Sequence, residues 1–314
     1  MDALEAASET AIHQCMQLQS DESCLIVTDD VIDRIGDALY HSASAVTDDT
    51  ALIRYPPLEQ HGMEPADHVA AAMAASDVVL APTSKSLSHT RARSRACRAG
   101  ARIATLPGIT IDVFTTGLDA DYQRIAAECE RVLAQVADAT ELRITAPAGT
   151  DLTFRPGDRT WRSDTGIVHE PGDFSNLPAG EVFVSPETAD GTYVIDGTIR
   201  PHGLLDPTET ISFTVVDGYV TDISDEAIRA ELETAADAVG RNAYNLAEVG
   251  IGTNIGVTTL IGSVLLDEKA AGTVHVAVGD DASIGGDTDA PIHMDGIIRD
   301  PTVIADGKPI DLPG

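Results

Sequence analysis

Basic residues are scarce in this sequence, and lysine is almost absent. The chain of 314 residues has 20 Lys and Arg against 51 Asp and Glu, which gives a formal net charge of −31 at pH 7. Its three lysines are Lys85, Lys269 and Lys308. No basic stripe is present that could release the counterions of a phosphate backbone, so the composition argues against nucleic acid as a partner.

The carboxylates are spread along the chain and form no acidic tail. Dispersed acidity of this kind is typical of a protein adapted to high salt, because ions screen the self-repulsion that opposes compaction. We therefore interpret the charge as halophilic adaptation to the solvent, which says little about the ligand.

Cysteine pairs and long apolar runs are also missing. The four cysteines are widely spaced with no C-x-x-C pair, so the sequence predicts neither a disulfide framework nor a cysteine zinc site. No apolar run is long enough to cross a membrane, and MDALEAASETAIHQC lacks a basic n-region followed by an apolar h-region. We expect a cytoplasmic protein without a membrane partner.

The order of apolar patterns predicts an α/β protein with two lobes. Apolar strands such as SCLIVTDD and VVLAPTS alternate with helical patterns up to DYQRIAAECERVLAQVADA, which predicts a parallel sheet with helices on its faces. After that, alternating runs such as GTYVIDGTI are separated by turn pairs, which predicts antiparallel sheet. The expected domains are an N-terminal α/β lobe, residues 1–138, and a mainly antiparallel β (α+β) metal-binding lobe, residues 139–314.

The segment from Asn245 to Pro301 gathers residue types that bind divalent metals. In IHMDG, His293 and Asp295 are two residues apart, so on a strand both side chains leave the same face. Zinc, manganese, cobalt and iron(II) accept imidazole and carboxylate together. The candidate ligands are Glu181, Glu248, His275, His293 and Asp295, with Glu268 as a structural carboxylate beside Lys269. Spacing alone leaves open the alternative that these histidines bind no metal, since a histidine on a strand is more often a hydrogen-bonded core residue.

Two other segments carry possible binding residues. In GIGTNIG the third glycine is one place late for a dinucleotide loop and no helical pattern follows, so a tight turn in a sheet is favoured. The segment TSKSLSHTRARSRA follows a strand end, where open α/β sheets bind ligands. Its arginines fit the solvated face of a capped helix, whereas His89 is a candidate proton carrier.

A set of motifs in order resembles a known family. These are TSKSLSHTRAR, GARIATLPGIT, APAGTDLTF, NLPAGEVFVSP, AEVGIGTN, LLDEKAAGTVHVAVGDD and IHMDG. Together they resemble the thermophilic metallo-aminopeptidase family (aminopeptidase T and S type) from about Thr83 to the C-terminus. The resemblance implies a two-lobed homodimer or higher homo-oligomer with two metal ions held by Glu181, Glu248, His275, His293 and Asp295. In that family a tyrosine follows the first ligand histidine by seven residues, and here Ala282 stands in its place.

The same superfamily includes a second class, similar to 2,5-dihydroxypyridine dioxygenase. Resemblance to that class implies one iron(II) held by two histidines and a carboxylate, a pattern that His275, His293 and Asp295 match. Such a triad leaves positions open for an aromatic diol and oxygen. The absent tyrosine favours this class, and the presence of Glu181 and Glu248 favours two metals.

Our first hypothesis is a metal-dependent aminopeptidase that releases N-terminal residues from peptides with metal-activated water. Its two ions would be zinc, cobalt or manganese, with Glu248 bridging them and Glu181 acting as ligand or general base. The alternative is a non-haem iron(II) extradiol-type dioxygenase that cleaves a dihydroxypyridine or related ring, with His89 as the base. A third hypothesis is a metal-binding protein without catalysis. The two enzyme hypotheses imply a small peptide or small-molecule substrate.

Overall fold

The computed structural model describes residues 2–314. The chain divides into two compact units, the first comprising the residues up to Ala126 with Asp164–Ala179, and the second Ala127–Ser163 with Gly180–Gly314. The lobes expected from the sequence, 1–138 and 139–314, stay a prediction about domains, because compactness alone does not establish which segments fold independently.

The helices lie mainly in the first unit. They are α1 Ala3–Glu9, α2 Asp33–Ser44, α3 Asp67–Ala75, α4 Arg91–Ala99, α5 Ile111–Gly117, α6 Tyr122–Val136, α7 Glu226–Val239 and α8 Val264–Asp267. A π-helical segment, Thr10–Cys15, continues α1, and a 3-10 segment, Gly240–Tyr244, follows α7. Within residues 2–314, none of the helices combines the length and the apolar character needed to cross a bilayer.

The strands fall into three sheets. They are β1 Cys24–Asp29, β2 Thr50–Tyr55, β3 Val78–Thr83, β4 Arg102–Pro107, β5 Leu142–Thr145, β6 Asp151–Arg155, β7 Arg162–Asp164, β8 Phe174–Asn176, β9 Glu181–Val184 and β10 Thr188–Ile195. The remaining ones are β11 Thr198–Ile199, β12 Gly203–Leu204, β13 Ile211–Val216, β14 Tyr219–Ile223, β15 Leu246–Gly252, β16 Val274–Gly279, β17 His293–Ile298, β18 Thr302–Ala305 and β19 Lys308–Pro309.

The first unit is built on a five-stranded sheet in the order β2-β1-β3-β4-β8, and every pairing in it is parallel. All residues of β1 and β3 are buried, as expected for central strands of a parallel sheet covered by helices on both faces. Helix α4 is capped by Thr90, whose side chain accepts a hydrogen bond from the Arg93 N–H. The helix packs on this core through Ala92 and Ala96.

The second unit contains two seven-stranded sheets in the orders β14-β13-β10-β6-β5-β18-β19 and β12-β11-β17-β16-β15-β9-β7. In β13, buried and half-buried residues alternate, and Phe213 stacks on Tyr193 of β10 with 4.6 Å between the ring centroids. By contrast, β15 and β16 are buried along their whole lengths. The predicted fold class, parallel α/β followed by mainly antiparallel β, is confirmed.

Candidate metal centre

The candidate ligands lie on one face of four neighbouring strands of the last sheet. Side chains at every second residue of a strand leave the same face, so the strand register decides which of them meet. The pairs that define this face are Gly252 with Glu181, Gly250 with His275, Glu248 with Ala277, Ala277 with Asp295, and Gly279 with His293. Each long polar side chain is therefore paired with a glycine or alanine, which leaves room for the polar groups to meet above the sheet.

Glu248 lies at the middle of the cluster. Its Oε1 is 3.3 Å from His275 Nε2, and its Oε2 is 3.5 Å from His293 Nε2. Glu181 Oε2 is 3.4 Å from His275 Nε2, and Asp295 Oδ1 is 3.4 Å from His293 Nε2. The five side chains thus form two groups with Glu248 in common, one with Glu181 and His275 and the other with His293 and Asp295.

Backbone carbonyls orient both histidine rings. His275 Nδ1 donates to the Glu268 carbonyl at 3.1 Å, and His293 Nδ1 donates to the Asp280 carbonyl at 2.7 Å. Since Nδ1 carries the proton in each bond, Nε2 is the atom that faces the carboxylates. This is the arrangement by which proteins fix the tautomer of a metal-binding histidine.

Lys269 belongs to the cluster, and our sequence reasoning placed it only beside Glu268. It is 4% exposed, its Nζ donates to Glu181 Oε1, and it lies 2.8 Å from Glu268 Oε1. The expected pairing of Glu268 with Lys269 is therefore observed. The sequence contained a signal for this position, because one of only three lysines lies in LLDEKAAG, directly after two acidic residues.

The pKa values reflect the mutual contact of acids and imidazoles. Burial raises the pKa of Glu181, although Lys269 and His275 oppose the rise. Burial opposes ionisation of Glu248 too, but hydrogen bonds from His275 and His293 lower its pKa to about 2. Burial would lower the pKa of His275, yet Glu248 and Glu181 raise it to about 9. Without a metal, both histidines act as the counter-cations of the carboxylates, since Asp295 and Glu248 likewise raise the pKa of His293 against the effect of burial.

The donor set fits a divalent ion. Two ligand atoms about 2.1 Å from one ion, at angles of about 90 to 109°, lie about 3.0 to 3.4 Å apart. The imidazole-to-carboxylate distances of 3.3 to 3.5 Å are close to this spacing. Moreover, Glu181 Oε2 is buried without a hydrogen-bond partner, which is costly for a carboxylate oxygen unless a cation approaches it. These buried acidic and histidine residues could therefore hold a metal ion.

Two further residues from the sequence analysis lie elsewhere. His89 belongs to the first unit, where it is exposed in the loop between β3 and α4. Ala282, which stands where the aminopeptidases have a tyrosine, lies exposed in the β16–β17 loop and offers no ligand atom. The role of each predicted site residue stays a prediction, and the geometry shows only which of them meet.

A comparison with known protein families gives a match over residues 17–314 to NicX, 2,5-dihydroxypyridine 5,6-dioxygenase. The chain belongs to this family. The matched range includes the whole cluster, from Glu181 to Asp295, so the residues described above lie within the part of the chain that defines membership.

Individual relatives agree with this membership. The 2,5-dihydroxypyridine 5,6-dioxygenase of Pseudomonas putida KT2440 is 26% identical over 209 residues, which are 62% of this chain and 58% of the relative. The aligned part thus spans less than two thirds of that relative's length. A solved structure of 2,5-dihydroxypyridine dioxygenase from the same organism has a TM-score of 0.78 at 19% identity and covers 100% of this chain and 97% of that one.

A second solved structure, wild-type AmpT from Thermus thermophilus, has a TM-score of 0.69 at 18% identity and covers 96% of this chain and 94% of that one. This chain therefore shares its fold with both kinds of protein, as the resemblance implied. At this identity the likeness concerns the fold alone.

The prediction of a metallo-aminopeptidase, and with it of a hydrolase, is wrong. The family match and the curated relative both point to a dioxygenase, which was our alternative. The error has a physical cause: the motifs that suggested a peptidase build strands and turns of a fold that AmpT and the dioxygenase share. Such motifs report the common scaffold, whereas activity depends on the few residues that differ.

Proposed function

We propose that this chain is a non-haem iron(II) dioxygenase that cleaves the ring of a dihydroxypyridine or a related aromatic diol. One observation carries the proposal: the segment that matches the dioxygenase family contains a cluster of two histidines and three carboxylates on one sheet face, buried except for the half-buried His293. The donor set agrees with this chemistry, because imidazole with carboxylate suits iron(II).

Within this proposal, the resemblance to the dioxygenase class supports His275, His293 and Asp295 as ligands of one ion. These residues belong to both donor groups, and Glu248 connects the groups through its contacts with the two histidines. When bound, iron(II) supplies open positions at which an aromatic diol and oxygen can meet. The protein contributes by fixing both Nε2 atoms toward the ion through the carbonyls of Glu268 and Asp280. The burial of β15 and β16 excludes water from the inner side of the cluster.

We propose His89 as the base that removes a proton from the diol. Its support is its place at the carboxyl end of the parallel strand β3, the edge at which open α/β sheets bind ligands. His89→Gln should then lower kcat and remove the acidic limb of the pH profile of kcat, where the base would be protonated, while leaving the metal content unchanged. Loss of metal together with activity would contradict this role.

Metal content and oxygen uptake test the function directly. The protein is freed of metal, reconstituted with iron(II) under argon, and mixed with 2,5-dihydroxypyridine in an oxygen-electrode cell. We expect oxygen uptake that depends on iron(II), and none in His293→Ala. Glu248→Gln should weaken a centre of one ion only mildly. Hydrolysis of an aminoacyl anilide by the zinc, cobalt or manganese protein, with no oxygen uptake by the iron protein, would refute the proposal.

We also propose three properties expected from the sequence: adaptation to high salt, a homo-oligomeric state and a cytoplasmic location. The dispersed charge of −31 supports adaptation to high salt. A homo-oligomer, expected from the family resemblance, can be tested by light scattering in concentrated KCl. The cytoplasmic location can be tested by fractionation of cells that express the protein.

A further inference from the structure

The cluster contains a fixed positive charge of its own. Lys269 is buried among carboxylates, with its ammonium bonded to Glu181 and lying 2.8 Å from Glu268 Oε1. Its side chain is 5% exposed, and those of Glu181 and Glu268 are 8% and 14% exposed. An ammonium held at this depth by two carboxylates is desolvated, and its position is set by the protein.

The same cluster has the framework for two metal ions. Its two groups of donor atoms have Glu248 in common, with one oxygen facing each histidine. A carboxylate shared in this way is the usual bridge of dinuclear centres, whose ions lie about 3.5 to 4 Å apart. The arrangement of carboxylates and histidines alone therefore does not explain why a centre of one ion would form.

Charge separates the two groups. Lys269 acts on Asp295 less strongly than His293 and His275 do. In the group of Glu181 and His275, its ammonium holds Glu181 Oε1, and so one ligand is already paired with a cation. A second divalent ion bound through Glu181 and His275 would lie beside this ammonium in a buried site, where repulsion between two cations is strong.

We propose that Lys269 takes the place of a second metal ion and thereby limits the cluster to one divalent ion. The proposal rests on the proposed function only in treating the cluster as a metal site. Lys269 is thus a positioning residue that sets the number of metal ions, and it is not assigned any contact with the substrate.

The test counts ions in the full chain and does not need turnover. Manganese(II) is the probe, because two neighbouring manganese(II) ions give a coupled electron paramagnetic resonance spectrum that a single ion does not. Lys269→Gln removes the charge but keeps hydrogen-bonding groups. Lys269→Arg keeps the charge, and Lys308→Gln, at an exposed position of β19, controls for the loss of one positive charge from an acidic protein.

We expect one manganese(II) per chain in the wild type, Lys269→Arg and Lys308→Gln, and two with a coupled spectrum in Lys269→Gln. In calorimetric titration, the second ion should bind to Lys269→Gln at least 100-fold more tightly than to the wild type. A Lys269→Gln protein that binds a single ion, with the wild-type affinity and an uncoupled spectrum, would overturn the proposal.

Should Lys269→Gln fail to fold, the wild type still decides. A coupled spectrum from wild-type protein at manganese(II) concentrations that saturate the first site would show that Lys269 excludes nothing. The outcome is also distinguishable from failure of the proposed function. If the ion counts are as expected but the iron protein takes up no oxygen, the inference about Lys269 holds and the dioxygenase proposal fails. If oxygen is taken up but Lys269→Gln still binds one ion, the dioxygenase proposal holds and the inference about Lys269 fails.

Discussion

Gly250 lies directly opposite His275 across the β15–β16 pair, and a Cβ atom at Gly250 would lie 2.1 Å from both Cε1 and Nε2 of the His275 ring. The imidazole therefore occupies the space that any other residue at position 250 would fill. Because Gly250 has no side chain, the His275 ring can reach Glu248 and Glu181.

Gly250→Ala should strongly weaken metal binding at the proposed centre. The added methyl group must displace the His275 ring, whose Nε2 is one of the candidate ligand atoms, since β15 and β16 are both buried and cannot separate easily. We expect metal affinity, measured by calorimetric titration of the metal-free protein, to fall about 100-fold or more.

Val249→Ala is the matched control on the opposite face of the same strand. Val249 is 1% exposed, so its truncation should lower the free energy of unfolding by about 1 to 3 kcal/mol and leave the metal affinity unchanged. If both variants lose metal equally, general loosening of β15 is the cause and the specific role of Gly250 is wrong.

Metal binding should release protons at neutral pH. Contacts with Glu248 and Glu181 raise the pKa of His275 to about 9, so the metal-free protein carries a proton there that an incoming ion must displace. Apparent affinity should therefore increase as the pH is raised from 6.5 toward 9. Titrations in two buffers of different ionisation enthalpy measure the released protons. Equal heats in both buffers, indicating no release, would contradict the pKa assignment.

The stability of the metal-free protein should depend on the same histidine. Its pKa in the folded chain, about 9, exceeds the unfolded value of about 6.5. The stabilisation is therefore fully present below pH 6.5 and is lost as the pH rises through 9. Urea unfolding in the presence of a chelator should show a decline in stability from pH 6.5 to 9 that is smaller in His275→Gln. An equal slope in both proteins would exclude His275 as the source.

The features that could be predicted are those determined by residues close together in the sequence. His293 and Asp295 are two residues apart on one strand, so the period of a strand was enough to place them together. The apolar runs of β1 and β3 likewise predicted a parallel sheet. These features follow from neighbouring residues and require no knowledge of the register between strands.

The position of Lys269 and the role of Gly250 could not be found in this way. Both follow from the pairing of strands that are distant in sequence, and that pairing is set by tertiary packing. The sequence showed Gly250 only as part of a turn motif, although it lies within β15. The activity was misassigned for a related reason, since the motifs we recognised belong to a scaffold on which two chemistries occur.

Asp281 should control the orientation of His293 through its neighbour in the loop. It is buried and accepts hydrogen bonds from Ser185 Oγ, Asn245 Nδ2 and the Thr288 N–H, while the adjacent Asp280 carbonyl accepts from His293 Nδ1. Asp281→Asn turns a donor toward these donors. It should lower the free energy of unfolding by about 1 to 3 kcal/mol and weaken metal binding less than His293→Ala does.

Asp287→Asn, in the same loop, is the control for Asp281→Asn. The Asp287 side chain is 88% exposed and pairs with Arg159 at the surface, so its replacement should change stability by no more than about 0.5 kcal/mol. If the two variants behave alike in denaturation and in metal titration, the buried network around Asp281 has no special role.

Salt should stabilise this chain by screening its charge. Repulsion within a net charge of −31 opposes folding, and the Debye length falls from about 30 Å at 0.01 M salt to about 3 Å at 1 M. Between these concentrations of KCl, we expect the free energy of unfolding in urea to increase by about 2 kcal/mol or more, a sizeable part of the about 5 to 15 kcal/mol typical of a folded protein. Sucrose at matched osmolality favours compact states without screening charge, so it separates the two effects. A gain in KCl no larger than the gain in sucrose would mean that the carboxylates are far enough apart for their repulsion not to limit stability.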